Sequence, residues 1–241
     1  MSTLPTGFLF QFSFPCRKVD KLAPALRPLE LGAEYEVPFQ TRAARTAAFH
    51  KTANATVRPE PSGVDRSQGT FLFRIGWHES GLLLSMELRG KRERLNCDST
   101  KVETSDGLRF CLDTRDVRDV HRATRFCHRF LFLPTGPGGK AEEVSASWLP
   151  IHRAKAHPNP VDVSQFRLAS EIYSDGFAMS AFIPGVTLTG YEPQEHPRLG
   201  FHFTLSDAEL GFFHLQHEVP LPVEEDPSLW PVLALTPSSQ R

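Results

Sequence analysis

Residues 71–88 read Phe-Leu-Phe-Arg-Ile-Gly-Trp-His-Glu-Ser-Gly-Leu-Leu-Leu-Ser-Met-Glu-Leu. Phe71, Phe73, Ile75 and Trp77 fall on every second position, His78-Glu79-Ser80-Gly81 offers a turn, and Leu82, Leu84, Met86 and Leu88 alternate back. A period of two sends alternate side chains to opposite faces of a strand, so each run presents one apolar face. Two such runs around a short glycine-containing turn predict a β-hairpin. The pattern continues outward. Leu108, Phe110 and Leu112 share a face of a third strand; Phe126, His128, Phe130 and Phe132 share a face of a fourth, with Cys127, Leu131 and Leu133 opposite. Further strands are expected at 166–173, 176–183, 199–205 and 211–216, with Asp175-Gly176 as a hairpin turn and a last short strand at Leu233 and Leu235. Phe8, Phe10, Phe12 and Phe14 alternate in a first strand, and 32–35 with 37–39 suit a short edge strand. Residues 54–69 and 134–140 read as loops, and Ser206-Asp207-Ala208-Glu209 as one capped helical turn.

Composition agrees. The chain has 241 residues, 20 prolines and 19 phenylalanines. That much proline suits strand-connecting loops better than long helices. Lys+Arg 27 against Asp+Glu 28 leaves a net charge of -1, which argues against phosphate-backbone binding, and no apolar run is long enough for a membrane helix. Four cysteines without C-x-x-C spacing point to neither a zinc site nor a disulfide scaffold. Cys111 and Cys127, inside strand-like runs, are expected as buried free thiols. The N-terminal apolar run lacks the basic flank and cleavage site of a signal peptide, so a reducing, cytoplasmic setting is the expectation. The fold expected is all-β: eight to ten strands in a two-sheet antiparallel β-sandwich or jelly roll. One domain spans 1–241, its core about 70–235, with 1–69 packed on it as a first strand and extended loops.

Four blocks carry a resemblance. The hairpin at 71–88, Asp-Gly-Leu-Arg-Phe-Cys-Leu-Asp at 106–113, Asp-Gly-Phe-Ala-Met-Ser-Ala-Phe-Ile-Pro at 175–184, and Leu199-Gly200-Phe201 with Asp207 occur in the order and spacing of family 9 carbohydrate-binding modules. The chain resembles that family over about residues 70 to 235. The wider DOMON-like sandwich superfamily includes sugar binders and b-type haem carriers. The resemblance implies a sandwich that holds a sugar end between two tryptophans, one shortly before the 106–113 block and one shortly before the C-terminal Asp-Pro-Ser. Here those places are Val102-Glu103 and Pro222 to Glu225, ahead of Asp226-Pro227-Ser228, without an aromatic residue. Trp77 and Trp230 fall on strand-like positions and are expected in the core.

One segment stands out in its own right. Asp113 to Arg129 places Arg115, Arg118, His121, Arg122, Arg125, His128 and Arg129 beside Asp113, Asp116 and Asp119. Arginine forks suit carboxylates, phosphates or acidic sugars; equally, Asp–Arg pairs can pin a long loop to a sheet. His128 shares the parity of Phe126 and Phe130, which makes it a core histidine or one that faces a cavity. The three aspartates, spaced every third residue, lack the Asp-x-Asp-x-Asp order of a calcium loop. Met86 and Met179, conceivable haem ligands, fit apolar strand faces. No catalytic motif is present. The expected ligand set is therefore Glu103, Asp106, Arg115, His121, Arg125 and His128, for a saccharide or an acidic small molecule, with no catalytic residue, metal or cofactor. The alternatives are a structural or interaction sandwich that has lost its site, or an accessory domain tied to glycoside hydrolysis or haem redox chemistry.

Overall fold

The computed structural model describes residues 13–38, 69–102, 104–136, 144–215 and 222–238. Phe8, Phe10, Phe12, Phe39, Glu103, most of the 54–69 loop and 137–140 lie outside them.

Among the described residues, eleven strands make up almost all the regular structure. They are β1 (Ser13–Lys18), β2 (Thr70–His78), β3 (Gly81–Arg89), β4 (Gly107–Asp113), β5 (Cys127–Leu133), β6 (Ser145–Leu149), β7 (Arg167–Tyr173), β8 (Gly176–Pro184), β9 (Arg198–Asp207), β10 (Gly211–His214) and β11 (Val232–Thr236). The hairpin forms as read, with Phe73 opposite Met86 and His78 opposite Gly81. Gly81 has φ +151 and Gly176 φ +157, and a Cβ on either would stand about 2 Å from a backbone oxygen. Both close tight turns that only glycine fits.

The hydrogen-bonded order is β6-β5-β4-β9-β11-β1-β2-β3-β8-β7, with β10 on β9. The sheet folds over itself: Phe73 of β2 lies 4.3 Å from Phe203 of β9 and 6.3 Å from Phe110 of β4. One half is thus β7-β8-β3-β2-β1-β11, the other β6-β5-β4-β9 with β10, and the apolar faces meet between them. Phe71, Phe73, Ile75, Leu84, Met86, Phe110 and Leu112 are all buried there, each fully buried apolar side chain contributing about 1.5–3 kcal/mol. This is the sandwich expected from the alternation. Two pairings add to it: β1 runs parallel to both β11 and β2, and β11 pairs antiparallel with β9, which joins the halves into one continuous sheet.

Three local readings change. Residues 33–35 form a 3-10 turn, and only Glu36 bridges to Arg74, so no edge strand forms at 32–37. The helical turn expected at 206–209 is the β9–β10 turn; Asp207 itself ends β9, and its Oδ1 accepts the amides of Glu209 and Leu210 at 3.0 and 2.8 Å. Side-chain capping of this kind serves turns as well as helix starts. Strand β6 was not anticipated. Its five residues are all half-buried on a sheet edge, so no alternation marks them.

Candidate functional site

Strands β4 and β9 are buried on both faces. Leu108, Phe110, Leu112, Phe201, Phe203 and Leu205 fill the interior. The opposite parity carries Arg109, His202, Thr204 and Ser206, a polar layer beneath the segments that cross the sheet's outside. Next to it Cys111, Cys127, Ala123, Ile151 and Trp230 form a small apolar cluster. Trp230 donates its ring N–H to the Val223 carbonyl at 2.6 Å, which fastens the 222–230 segment over the sheet.

The polar layer is one connected network. Arg109 stands opposite Thr204 in the β4–β9 register, and Thr204 opposite His214 in β10. Arg109 donates from Nε to Glu224 Oε1 at 2.7 Å and from Nη1 to Ser206 Oγ at 2.8 Å. It also reaches the Val102 carbonyl at 3.5 Å. The second Glu224 oxygen is taken by Arg129 of β5. Thr204 Oγ1 lies 3.2 Å from both His202 Nε2 and His214 Nδ1. Phe212, on the same face of β10, stacks on the His214 ring at 5.8 Å and 20°. Its register partner is Ser206, the residue that Arg109 grips. The result is a half-buried aromatic pair beside two guanidinium groups that share one carboxylate.

Electrostatics follow from burial. Desolvation opposes the Glu224 charge, but Arg109 and Arg129 outweigh it and hold the carboxyl below its ordinary range. Desolvation lowers His202 to about 4, against the pull of Glu224 and helped by His214 and Arg109. The ring is therefore neutral at pH 7, with Nδ1 buried and without a hydrogen-bond partner.

Of the residues expected to bind, Arg115 and Arg125 share one surface, each guanidinium 4.9 Å from the Phe126 ring, while Asp106, His121 and His128 make contacts of their own. Arg115 turns toward 190–192, donating to the Gly190 carbonyl and to Glu192 Oε2 at 2.7 Å. His121, exposed, contacts Asp226 at 3.1 Å and Ser228 at 2.9 Å. Arg125 is exposed over the Phe126 ring at 4.9 Å. His128 points inward, fully buried, stacked on Phe130 at 5.9 Å. Asp106 is buried too, accepting from the Lys91 ammonium at 3.2 Å and from the amides of Asn96 and Ala208. Lys91 in turn sits 2.6 Å from Asp207. The remaining arginines of the 113–129 segment mostly tie the loop down: Arg118 to Asp116 and the Trp230 carbonyl, Arg122 to the Arg153 carbonyl. Among the described residues, Glu192, Glu195 and His196 bring possible metal ligands together, but they are surface groups and Glu192 already pairs with Arg115.

Sequence reasoning passed over Arg109, Ser206, Phe212 and Glu224. A charge amid Leu108, Phe110 and Leu112 was the available signal, since its parity puts it on the outer face. Phe212-Phe213 was a second, because adjacent residues of a strand face opposite ways. Glu224, 115 positions from Arg109, left no local trace.

No family model matches the chain, and neither does any curated protein. Solved structures do. The fold is similar to a family 9 carbohydrate-binding module of Caldicellulosiruptor kristjanssonii in complex with cellotriose, with a TM-score of 0.61 and 14% identity over 95% of each chain. The same organism's module in complex with glucose matches at 0.59 and 13%, over 95% of this chain and 98% of that one. A protein of Bacteroides uniformis matches at 0.52 and 12%, over 93% and 99%. At these identities the likeness is one of fold: the chain has the sandwich of a family 9 carbohydrate-binding module.

Proposed function

We propose that this chain is a non-catalytic saccharide-binding module whose site is the outer face of β4, β9 and β10. One observation carries the reading. The two segments where the resembling family places its sugar clamp, around Val102 and around 222–225, converge on the same residue, Arg109, through the Val102 carbonyl and Glu224. Beside that point the Phe212–His214 pair offers a ring face. A pyranose stacks on such a face by its apolar C–H side, while hydroxyls are read by charged and hydroxyl groups. Phe212 is the stacking platform, Arg109, Arg129 and Glu224 read hydroxyls or a carboxylate, and Ser206 and Thr204 orient the arginine and the histidines.

Chemical-shift titration of the labelled chain with glucose, cellotriose and glucuronate tests this. Saturable shifts at Arg109, Thr204, Phe212 and Glu224 are expected, and Phe212→Ala weakens binding by about 1 kcal/mol, the scale of an aromatic contact. Binding that leaves these amides unmoved, or that ignores Phe212→Ala, removes the site. A second reading has its own support: Glu224 already pairs with both arginines, as in a sandwich that has given up its ligand. Absence of binding by all three saccharides favours that reading.

A further inference from the structure

A concavity of about 520 Å3 opens between the 91–95 segment and the β7–β8 turn. That volume lies within the range of small-molecule sites, roughly 300–1,000 Å3. Its wall is irregular backbone held unusually firmly. The Lys91 ammonium is locked between Asp106 and Asp207, and the Lys91 amide donates to the Asp175 carbonyl at 2.9 Å. Glu209 accepts the amides of Arg92 and Glu93 at 2.8 and 2.9 Å, and Asp106 accepts that of Asn96 at 2.9 Å. Carboxylates from distant turns thus fix a segment that has no strand or helix of its own. A preorganised wall spares a ligand the cost of ordering it.

The charges around the opening are not equivalent. Lys91 is neutralised where it stands. Arg89 is spent on Glu87 and Asp175, both at 2.9 Å, and lies 3.6 Å over the Tyr173 ring, which fixes that ring as the opposite wall. Arg94 differs: its guanidinium is exposed and has no ion-pair partner among the described residues. The apolar lining comes from Leu95 and Ile172, both packed against the core. Glu93 adds one exposed negative charge to the lining and sets a polyanion at a disadvantage.

We propose that this concavity is a binding site for a small monocarboxylate with an apolar, ring-shaped body. The carboxylate is held by Arg94 through charge-assisted hydrogen bonds, and the body lies on Leu95 and Ile172 beside Tyr173. The site shares no residue with the saccharide face, so the two readings stand or fall separately.

Benzoate is the probe, with benzamide as its neutral counterpart of the same shape. At low salt, titration of the labelled chain with benzoate produces saturable shifts at Arg94, Leu95, Tyr173 and Ser174. Benzamide binds about tenfold more weakly or worse, and Arg94→Ala, at an exposed position that the fold does not use, loses about tenfold or more, as expected for a hydrogen bond to a charged group. Equal binding of benzamide, shifts scattered over exposed arginines without saturation, or an Arg94→Ala chain that binds benzoate as before would each overturn the proposal.

Discussion

Replacing His128 by leucine isolates a buried ionisable ring. His128 is fully buried between the sheet halves and stacked almost parallel to Phe130 (7°), with a Thr189 backbone group near enough to act on the ring. Burial pushes its pKa down from 6.5 to about 4, against a small opposing influence of the Thr189 backbone. The sign follows from which state takes up the proton. Above pH 6.5 the ring is neutral folded and unfolded, so it contributes no pH dependence. Between pH 6.5 and 4 the unfolded chain is protonated and the folded one is not, so stability falls with pH. At 1.36 kcal/mol for each pKa unit the whole loss is about 3 kcal/mol, of which about 2.5 kcal/mol is reached near pH 4.5. His128→Leu abolishes that share. At pH 7 it exchanges a desolvated polar ring for an apolar side chain of similar volume, and the net change in stability is below about 1.5 kcal/mol. Urea unfolding of both proteins at pH 7 and near pH 4.5 measures the difference, and the contributions of His202 and Glu224 cancel in the comparison. If the leucine variant loses stability in acid as steeply as the parent, the buried neutral ring is not the source and the argument fails.

Two further outcomes follow from the buried charges and thiols. Lys91→Met leaves Asp106 and Asp207 facing each other in a dry site; it costs about 3–5 kcal/mol at pH 7 by urea unfolding. The deficit shrinks as the pH falls, because protonating one carboxyl relieves the repulsion, Asp106 being already raised by burial and by Asp207. Cys16, Cys97, Cys111 and Cys127 are buried free thiols, with desolvation pushing Cys127 up to about 12. A thiol reagent therefore finds none of them in the native chain and all four after unfolding without reductant.

Period-two alternation was enough for the sandwich, because a strand with one face buried must repeat its apolar residues at that period, and the signal is local. Hence the 71–88 hairpin, the inward parity of His128 and the burial of Trp77 were legible from residues close together in the chain. The charges of the 113–129 segment were legible as residues but not as roles. Arg115, Arg118 and Arg122 could serve a ligand or a loop, and their contacts with Glu192, Asp116 and the Arg153 carbonyl are visible only in the folded chain. The parallel pairing of β1 with β11 joins residues more than two hundred positions apart. Arg109, Phe212 and Glu224 likewise meet only after β4, β9 and β10 are in register and the C-terminal segment has crossed the sheet. Local periodicity determines which face of each strand is apolar. Which polar residues share the other face depends on strand order and register, and these are set by contacts between distant parts of the chain, leaving no spacing for a sequence to display.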